Sequence, residues 1–118
     1  GASFTRKRNF KGGKIMITVK NYKEELKGIC VIEISGNSCA NCLSLMPILK
    51  EIIGQRDDCR LVHIEADENT LDLMELFDVQ TAPTILLTKD GEIKARCKGY
   101  QPEEILELWL DAKINEIK

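Results

Sequence analysis

The stretch Ile29-Cys-Val-Ile-Glu-Ile-Ser35, continued by Gly36-Asn-Ser-Cys39-Ala-Asn-Cys42-Leu-Ser-Leu-Met-Pro47-Ile-Leu49, decides how this chain is read. Ile29–Ser35 is apolar almost without interruption, the pattern of a central strand buried on both faces of a sheet. Gly36-Asn37-Ser38 is a turn. Leu45, Leu49, Ile52 and Ile53 then fall on one face at helical spacing, which predicts a helix over Cys39–Ile53, ended by Gly54. A Cys-x-x-Cys therefore lies where a buried strand hands over to a helix N-terminus.

The same alternation runs outward in both directions. Upstream, Ile15–Val19 is short and β-branched and predicts a strand, with Asn21 as N-cap of a helix over Tyr22–Lys27 that Gly28 stops. Downstream, Leu61–Ala66 predicts a strand and Thr70–Phe77 a short helix. Thr84–Thr88 and Glu92–Cys97 flank Lys89-Asp90-Gly91, a hairpin whose Asp-Gly pair suits positive φ. Pro102 opens a last helix, with Ile105, Leu108, Trp109 and Ala112 expected on its inner side and Glu103-Glu104 complementing the helix dipole. The order βαβαβαββα requires parallel pairing of the early strands through right-handed crossovers, with an antiparallel hairpin at the end. The expected architecture is α/β, a central mixed sheet with helices on both faces.

At 118 residues the chain has room for one domain. Hydrophobic residues at 43% and charged residues at 31% exclude a disordered or fibrous class. No run of about 18 apolar residues occurs, so no transmembrane helix and no membrane partner are expected. Residues 1–14 carry Arg6, Lys7, Arg8, Lys11 and Lys14, no acid and no apolar periodicity. They read as an expression remnant or a flexible basic arm, with the domain proper at 15–118. Outside that segment, 12 basic residues face 19 acidic ones, the wrong balance for a nucleic-acid binder. Five cysteines cannot all pair within one chain, and no secretory h-region precedes them. That usage points to a reducing, cytoplasmic setting.

Unpaired N–H groups and the helix dipole favour an anion at a helix start, so Cys39 is expected to hold its thiolate well. Cys42 follows on the same face, close enough for a short-loop disulfide, and is expected to be the more buried, resolving thiol. Glu33 interrupts the apolar strand. A carboxyl group there could lie beneath the dithiol and exchange a proton with Cys42, or the strand could edge toward solvent, or Glu33 could pair with a nearby base.

Ser38-Cys39-Ala40-Asn41-Cys42 with Pro47, and Val79-Gln-Thr-Ala-Pro83-Thr84-Ile-Leu-Leu87 followed by Asp90-Gly91, resemble the active-site helix and the Pro-Thr strand of the thioredoxin family. The similarity runs from about Ile15 to Lys118. It implies a thioredoxin-like three-layer fold and a thiol–disulfide oxidoreductase, specifically a protein-disulfide reductase that needs no bound cofactor or metal. By that resemblance Pro83 follows a cis peptide bond and lies against the dithiol, and Glu33 stands where the family usually has a buried Asp. Ser38, Ala82, Pro83 and Gly99 would border the substrate groove. Disulfide-containing proteins are the implied substrates and a thioredoxin-reductase-like flavoprotein the implied electron donor, with the chain acting as a monomer. Four positions depart from the family pattern. Ser38 replaces its usual Trp, Ala40-Asn41 replace Gly-Pro, and His63 stands where a Lys is frequent. The last could tune Glu33 or simply face a polar neighbour.

Two other readings compete. Cys39, Cys42, Cys59 and His63 have a superficial zinc-ligand spacing. A helix over Cys39–Ile53 would however span roughly 22 Å at about 1.5 Å per residue, too far for one ion. The other is an interaction module of the same fold with a vestigial dithiol, which an assay of disulfide reduction separates from an enzyme. Cys30, Cys97 and Trp109 are expected in the core, and Cys59 near a loop, open to oxidation.

Overall fold

A computed structural model describes residues 16–118; the basic segment 1–14 and Ile15 lie outside the described residues. The elements are α1 (Tyr22–Glu25), β1 (Ile29–Ser35), α2 (Ala40–Gly54), β2 (Arg60–Glu65), a 3-10 turn (Glu68–Thr70), α3 (Leu71–Leu76), β3 (Thr84–Lys89), β4 (Glu92–Lys98) and α4 (Glu103–Ile117). Four strands form one sheet in the order β2-β1-β3-β4. β1 pairs parallel with β2, and the β1–β3 and β3–β4 pairs are antiparallel. The sheet is thus mixed, as the βα alternation and the closing hairpin require.

Strand parity divides the core. Val31 of β1 and Ile85 and Leu87 of β3 face α2 and α4, where they meet Leu45, Leu49, Ile52, Leu106, Leu110 and Ile114. Cys30, Ile32, Ile34 and Leu86 face the other way, onto Leu26, Leu73, Met74 and Phe77. Both faces of β1 are therefore buried, which is why its sequence reads as a continuous apolar run. Glu33 and Ser35 share the parity of Val31. They lie on the α2 face, beyond the apolar cluster, toward the end of the strand that feeds α2.

The hairpin forms as its Asp-Gly pair predicts, with Asp90 at φ 53° and Gly91 at φ 85°. A Cβ at Gly91 would stand 3.0 Å from the Lys23 backbone, so the glycine answers to both φ and space. Asp90 also ties the tip to the start of β1: Gly28 N–H donates to Asp90 Oδ1 at 2.8 Å, and Asp90 N–H to the Gly28 carbonyl at 2.9 Å.

Two expectations are corrected. Residues 16–19 of the expected first strand form no strand. Their polar groups bond locally instead: Thr18 N–H donates to Asn21 Oδ1 at 2.7 Å, and Asn21 Nδ2 donates to the Met16 carbonyl at 3.0 Å. Asn21 does occupy the N-cap of α1, but its side chain is spent on this turn and makes no cap bond, and α1 is four residues long. Ile17 and Val19 still pack on the Phe77 cluster. In α4 the inner face is Leu106, Leu110 and Ile114, with Trp109 packed at its side. Ile105 and Leu108 are 54% and 70% exposed, and Ala112 is also exposed. Two apolar stripes with helical spacing run along α4, and contact with the sheet, which periodicity does not report, selects between them.

Thr88 of β3 is fully buried opposite Cys30, and among the described residues its hydroxyl has no partner better than that weakly accepting thiol. A buried, unsatisfied hydroxyl costs stability that an isosteric methyl does not. Thr88→Val is expected to raise the unfolding free energy by about 1 kcal/mol, read as a higher urea midpoint at unchanged slope. A lower midpoint would show that the hydroxyl is satisfied in solution.

Candidate active site

Cys39 is the N-cap residue of α2, in extended conformation, with its sulfur accepting the Cys42 backbone N–H at 3.2 Å. It is half-buried, whereas Cys42, in the first turn, is 4% exposed. The two form a disulfide with their Cα atoms 5.3 Å apart. In the reduced state the same N–H and the helix N-terminus are placed to stabilise a thiolate on Cys39 rather than on Cys42. Asn41, standing before Cys42, keeps a backbone N–H in this first turn that a proline would lack. Ser38 precedes the dithiol at φ 56°, in the left-handed region that non-glycine residues seldom adopt.

A pocket of about 320 Å³ opens beside the disulfide, lined by Ser35, Ser38, Cys39, Cys42, Leu43 and His63 among others. Leu43, one residue past Cys42, is 79% exposed and supplies apolar surface at its mouth. Glu33 is fully buried and does not line this pocket. Its Oε2 accepts the Ser35 hydroxyl at 2.5 Å and its Oε1 faces His63 Nδ1 at 2.6 Å. The parallel register sets Glu33 opposite His63, and His63 Nε2 in turn faces Glu65 Oε1 at 3.0 Å. Glu33 is thus paired with a base, and the strand does not edge toward solvent there.

Ala82, Pro83 and Gly99 are linked to one another and, through Ala82, to the β1–α2 turn. The Ala82–Pro83 peptide bond is cis, and Ala82 sits so close to Gly36 that a Cβ on the glycine would stand 3.1 Å from the Ala82 Cβ. Gly99 N–H donates to the Pro83 carbonyl at 2.8 Å, joining those two positions. Ser35 and Glu65 were not picked out in the sequence. Each lies two residues beyond Glu33 or His63, so strand parity alone places all four side chains on one face.

The zinc set does not assemble. Cys39 and Cys42 are bonded to each other, Cys59 packs against the α2–α4 cluster, and His63 is engaged by two carboxylates. Among the described residues no three His, Cys, Asp or Glu side chains are arranged to hold a metal ion.

The thioredoxin family profile matches residues 13–112. This chain belongs to the thioredoxin family. Thioredoxin of Staphylococcus haemolyticus is 29% identical over 99 residues, covering 82% of this chain and 94% of that one. Thioredoxin of Listeria monocytogenes is 31% identical over 93 residues, covering 77% and 89%. A solved structure of a thioredoxin point mutant from Halobacterium salinarum is similar at 25% identity and a TM-score of 0.66, covering 75% of this chain and 76% of that one. The fold is therefore that of thioredoxin, and the chain is a thiol–disulfide oxidoreductase, a disulfide reductase with a Cys39–Cys42 pair.

The surroundings of the other three thiols disfavour their thiolate forms. Burial pushes the Cys30 and Cys97 thiols up, and burial together with the neighbouring Asp58 carboxylate takes Cys59 to about 11. A thiol titrating near 11 is only about 10⁻⁴ thiolate at neutral pH. On the reduced protein, iodoacetamide at about pH 7 is expected to alkylate Cys39 at least ~100-fold faster than Cys59 or Cys97, by peptide mass spectrometry. Equal rates at Cys39 and Cys59 would contradict the role of the helix start.

Proposed function

We propose that this thioredoxin reduces disulfides of other proteins, with Cys39 as the attacking thiol, Cys42 as the resolving thiol and Glu33 as the acid–base group of the resolving step. The observation that carries the assignment is the asymmetry of the pair: Cys39 is half-buried at the N-cap with an N–H on its sulfur, and Cys42 is nearly enclosed. The Cys39 thiolate attacks one sulfur of the substrate disulfide, and the other leaves as a thiolate that takes a proton. Cys42, once deprotonated, attacks Cys39 Sγ, expels the second substrate sulfur and leaves Cys39–Cys42 oxidised.

Ser38, Ala82, Pro83 and Gly99 form the substrate side of this reading, with Leu43 adding apolar contact. Ser38 and Leu43 line the pocket, Ala82 abuts the β1–α2 turn, and Pro83 and Gly99 are joined by a backbone hydrogen bond. Electrons return from a thioredoxin-reductase-like flavoprotein, and three unpaired cysteines suit a cytoplasmic, reducing setting in which the chain works as a monomer. Insulin reduction with a dithiol electron source tests the activity. Precipitation of the reduced chains should accelerate well above the uncatalysed rate, and in a Cys39→Ser variant it should not. Wild-type protein no faster than that variant would leave a fold without redox function.

A further inference from the structure

We propose that His63 is the proton port of this active site, the imidazole through which Glu33 exchanges protons with the dithiol pocket. The proposal rests on the reading of Glu33 as the acid–base group and adds the route that such a group needs. Glu33 is 0% exposed and does not reach the pocket. Both groups that hold its oxygens, the Ser35 hydroxyl and His63 Nδ1, belong to residues that do. These two side chains thus offer a proton a route between Glu33 and the dithiol side.

The chemistry favours the imidazole. A serine hydroxyl passes a proton only by giving one away as it takes another. An imidazole can hold the extra proton near neutral pH, take it at one ring nitrogen and release it from the other. His63 is placed for this, with Nδ1 turned to the buried carboxylate at 2.6 Å and Nε2 3.0 Å from Oε1 of the half-exposed Glu65. Its side chain is 38% exposed, so the ring joins an enclosed carboxylate to solvent. The groups on the ring are Glu33 from β1 and Glu65 from β2 itself, and Cys39 and Cys42 of the α2 start line the same pocket. Carboxylates at both nitrogens accept both N–H groups of an imidazolium, so the intermediate that carries the proton is hydrogen-bonded at each end.

In the resolving step the half-exposed Glu65 side chain turns off Nε2, the Cys42 thiol gives its proton, through solvent in the pocket, to the Nε2 lone pair so freed, and the Nδ1 proton moves onto Glu33. The Cys42 thiolate pair forms the bond to Cys39 Sγ as the bond from Cys39 to the substrate sulfur breaks, its electrons leaving with the substrate. The reverse shift across the ring returns the proton to that departing thiolate. The substrate leaves as a thiol, the dithiol has lost two electrons to the substrate disulfide, and Glu33 and His63 are restored. His63 acts here through Glu33, as a positioning and proton-carrying residue.

The test uses 5,5′-dithiobis(2-nitrobenzoate) with the reduced protein in stopped flow, where the first thiolate released reports attack by Cys39 and the second reports resolution by Cys42. His63→Gln keeps an amide beside Glu33 and cannot relay a proton; the ring is partly exposed, so the variant is expected to fold. Its second release should be at least ~10-fold slower near neutral pH, rising about tenfold per pH unit toward the range of a free thiol near 8.5, with the first release changed less than about twofold. Glu65→Gln, which removes the outer acceptor charge, should give a smaller slowing of the same pH form. Should Glu33→Gln slow the second release while His63→Gln matches wild type from about pH 6 to about pH 8.5, the port is overturned and the reading of Glu33 stands. Should both variants match wild type, both ideas fall.

Discussion

A Cys42→Ser variant is expected to accumulate substrate proteins as mixed disulfides on Cys39, and a Cys39→Ser variant to accumulate none. The asymmetry follows from how the helix start treats the two sulfurs. Cys39 Sγ sits at the N-cap of α2 with the Cys42 N–H on it, half-buried at the pocket, so a thiolate there is both stabilised and reachable. Cys42 is 4% exposed and meets a disulfide sulfur only once that sulfur has been brought onto Cys39. Without Cys42 the first step proceeds and the second cannot, so the covalent complex persists until an outside thiol cleaves it. Either substitution should lower steady-state disulfide reduction by about 10³-fold or more, because the two thiols act as a unit and neither retains much of the function alone. Non-reducing gels and mass spectrometry of captured complexes read the result. Equal trapping by both variants would contradict the assignment of roles.

Glu33→Gln is expected to slow resolution of the mixed disulfide by ~10²-fold and to leave the initial attack by Cys39 largely intact. The size is the low end for general acid–base catalysis by a positioned group. The amide preserves shape and hydrogen bonding: its carbonyl can accept from His63 Nδ1–H and its NH₂ can donate to the Ser35 hydroxyl, so no buried polar atom is stranded. His63 also keeps Glu65 as a partner, so no uncompensated charge remains inside. Stability should therefore stay within about 1 kcal/mol of wild type, which separates a lost proton acceptor from a damaged fold. Single-turnover release of the substrate thiol, followed from about pH 6 to about pH 8, measures the effect. Resolution at the wild-type rate throughout would return Glu33 to a structural role.

How far the sequence could be read depended on whether a feature was local. The apolar run of β1 on either side of Glu33, the turn into α2, the stripe Leu45, Leu49, Ile52 and Ile53, and Asp90-Gly91 each carry their own instruction, and each is found where expected. Features decided by a neighbour were harder. Ile17 and Val19 have strand-like side chains, yet the local bonds of Thr18 and Asn21 hold that segment in a turn, and the two residues pack from outside the sheet. In α4 the stripes Ile105/Leu108 and Leu106/Leu110/Ile114 are both regular, and the sheet surface beneath selects the second.

The site shows the same division. Cys39 and Cys42 were legible because a thiol pair at a predicted helix start carries its chemistry with it. Glu33 was legible as an anomaly, a carboxylate in an apolar run, but its partners were not. They depend on the register of β1 against β2, which sets Glu33 opposite His63 and which no stretch of either strand encodes alone. Pro83 and Gly99 were identifiable by family resemblance, whereas the hydrogen bond that joins them required the fold.

The central claim is a two-electron cycle confined to Cys39 and Cys42. Equilibrating the protein against a graded series of reduced and oxidised glutathione, then alkylating and weighing it, tests that claim most directly. The account predicts one transition in which Cys39 and Cys42 pass together from alkylated to protected, with Cys30, Cys59 and Cys97 remaining free thiols throughout. Its midpoint should be more reducing than an oxidising compartment's glutathione poise of about −180 to −210 mV, as net reduction of substrates requires. A dithiol still reduced at the oxidising end of the series, or a transition that draws in one of the other three cysteines, would contradict it.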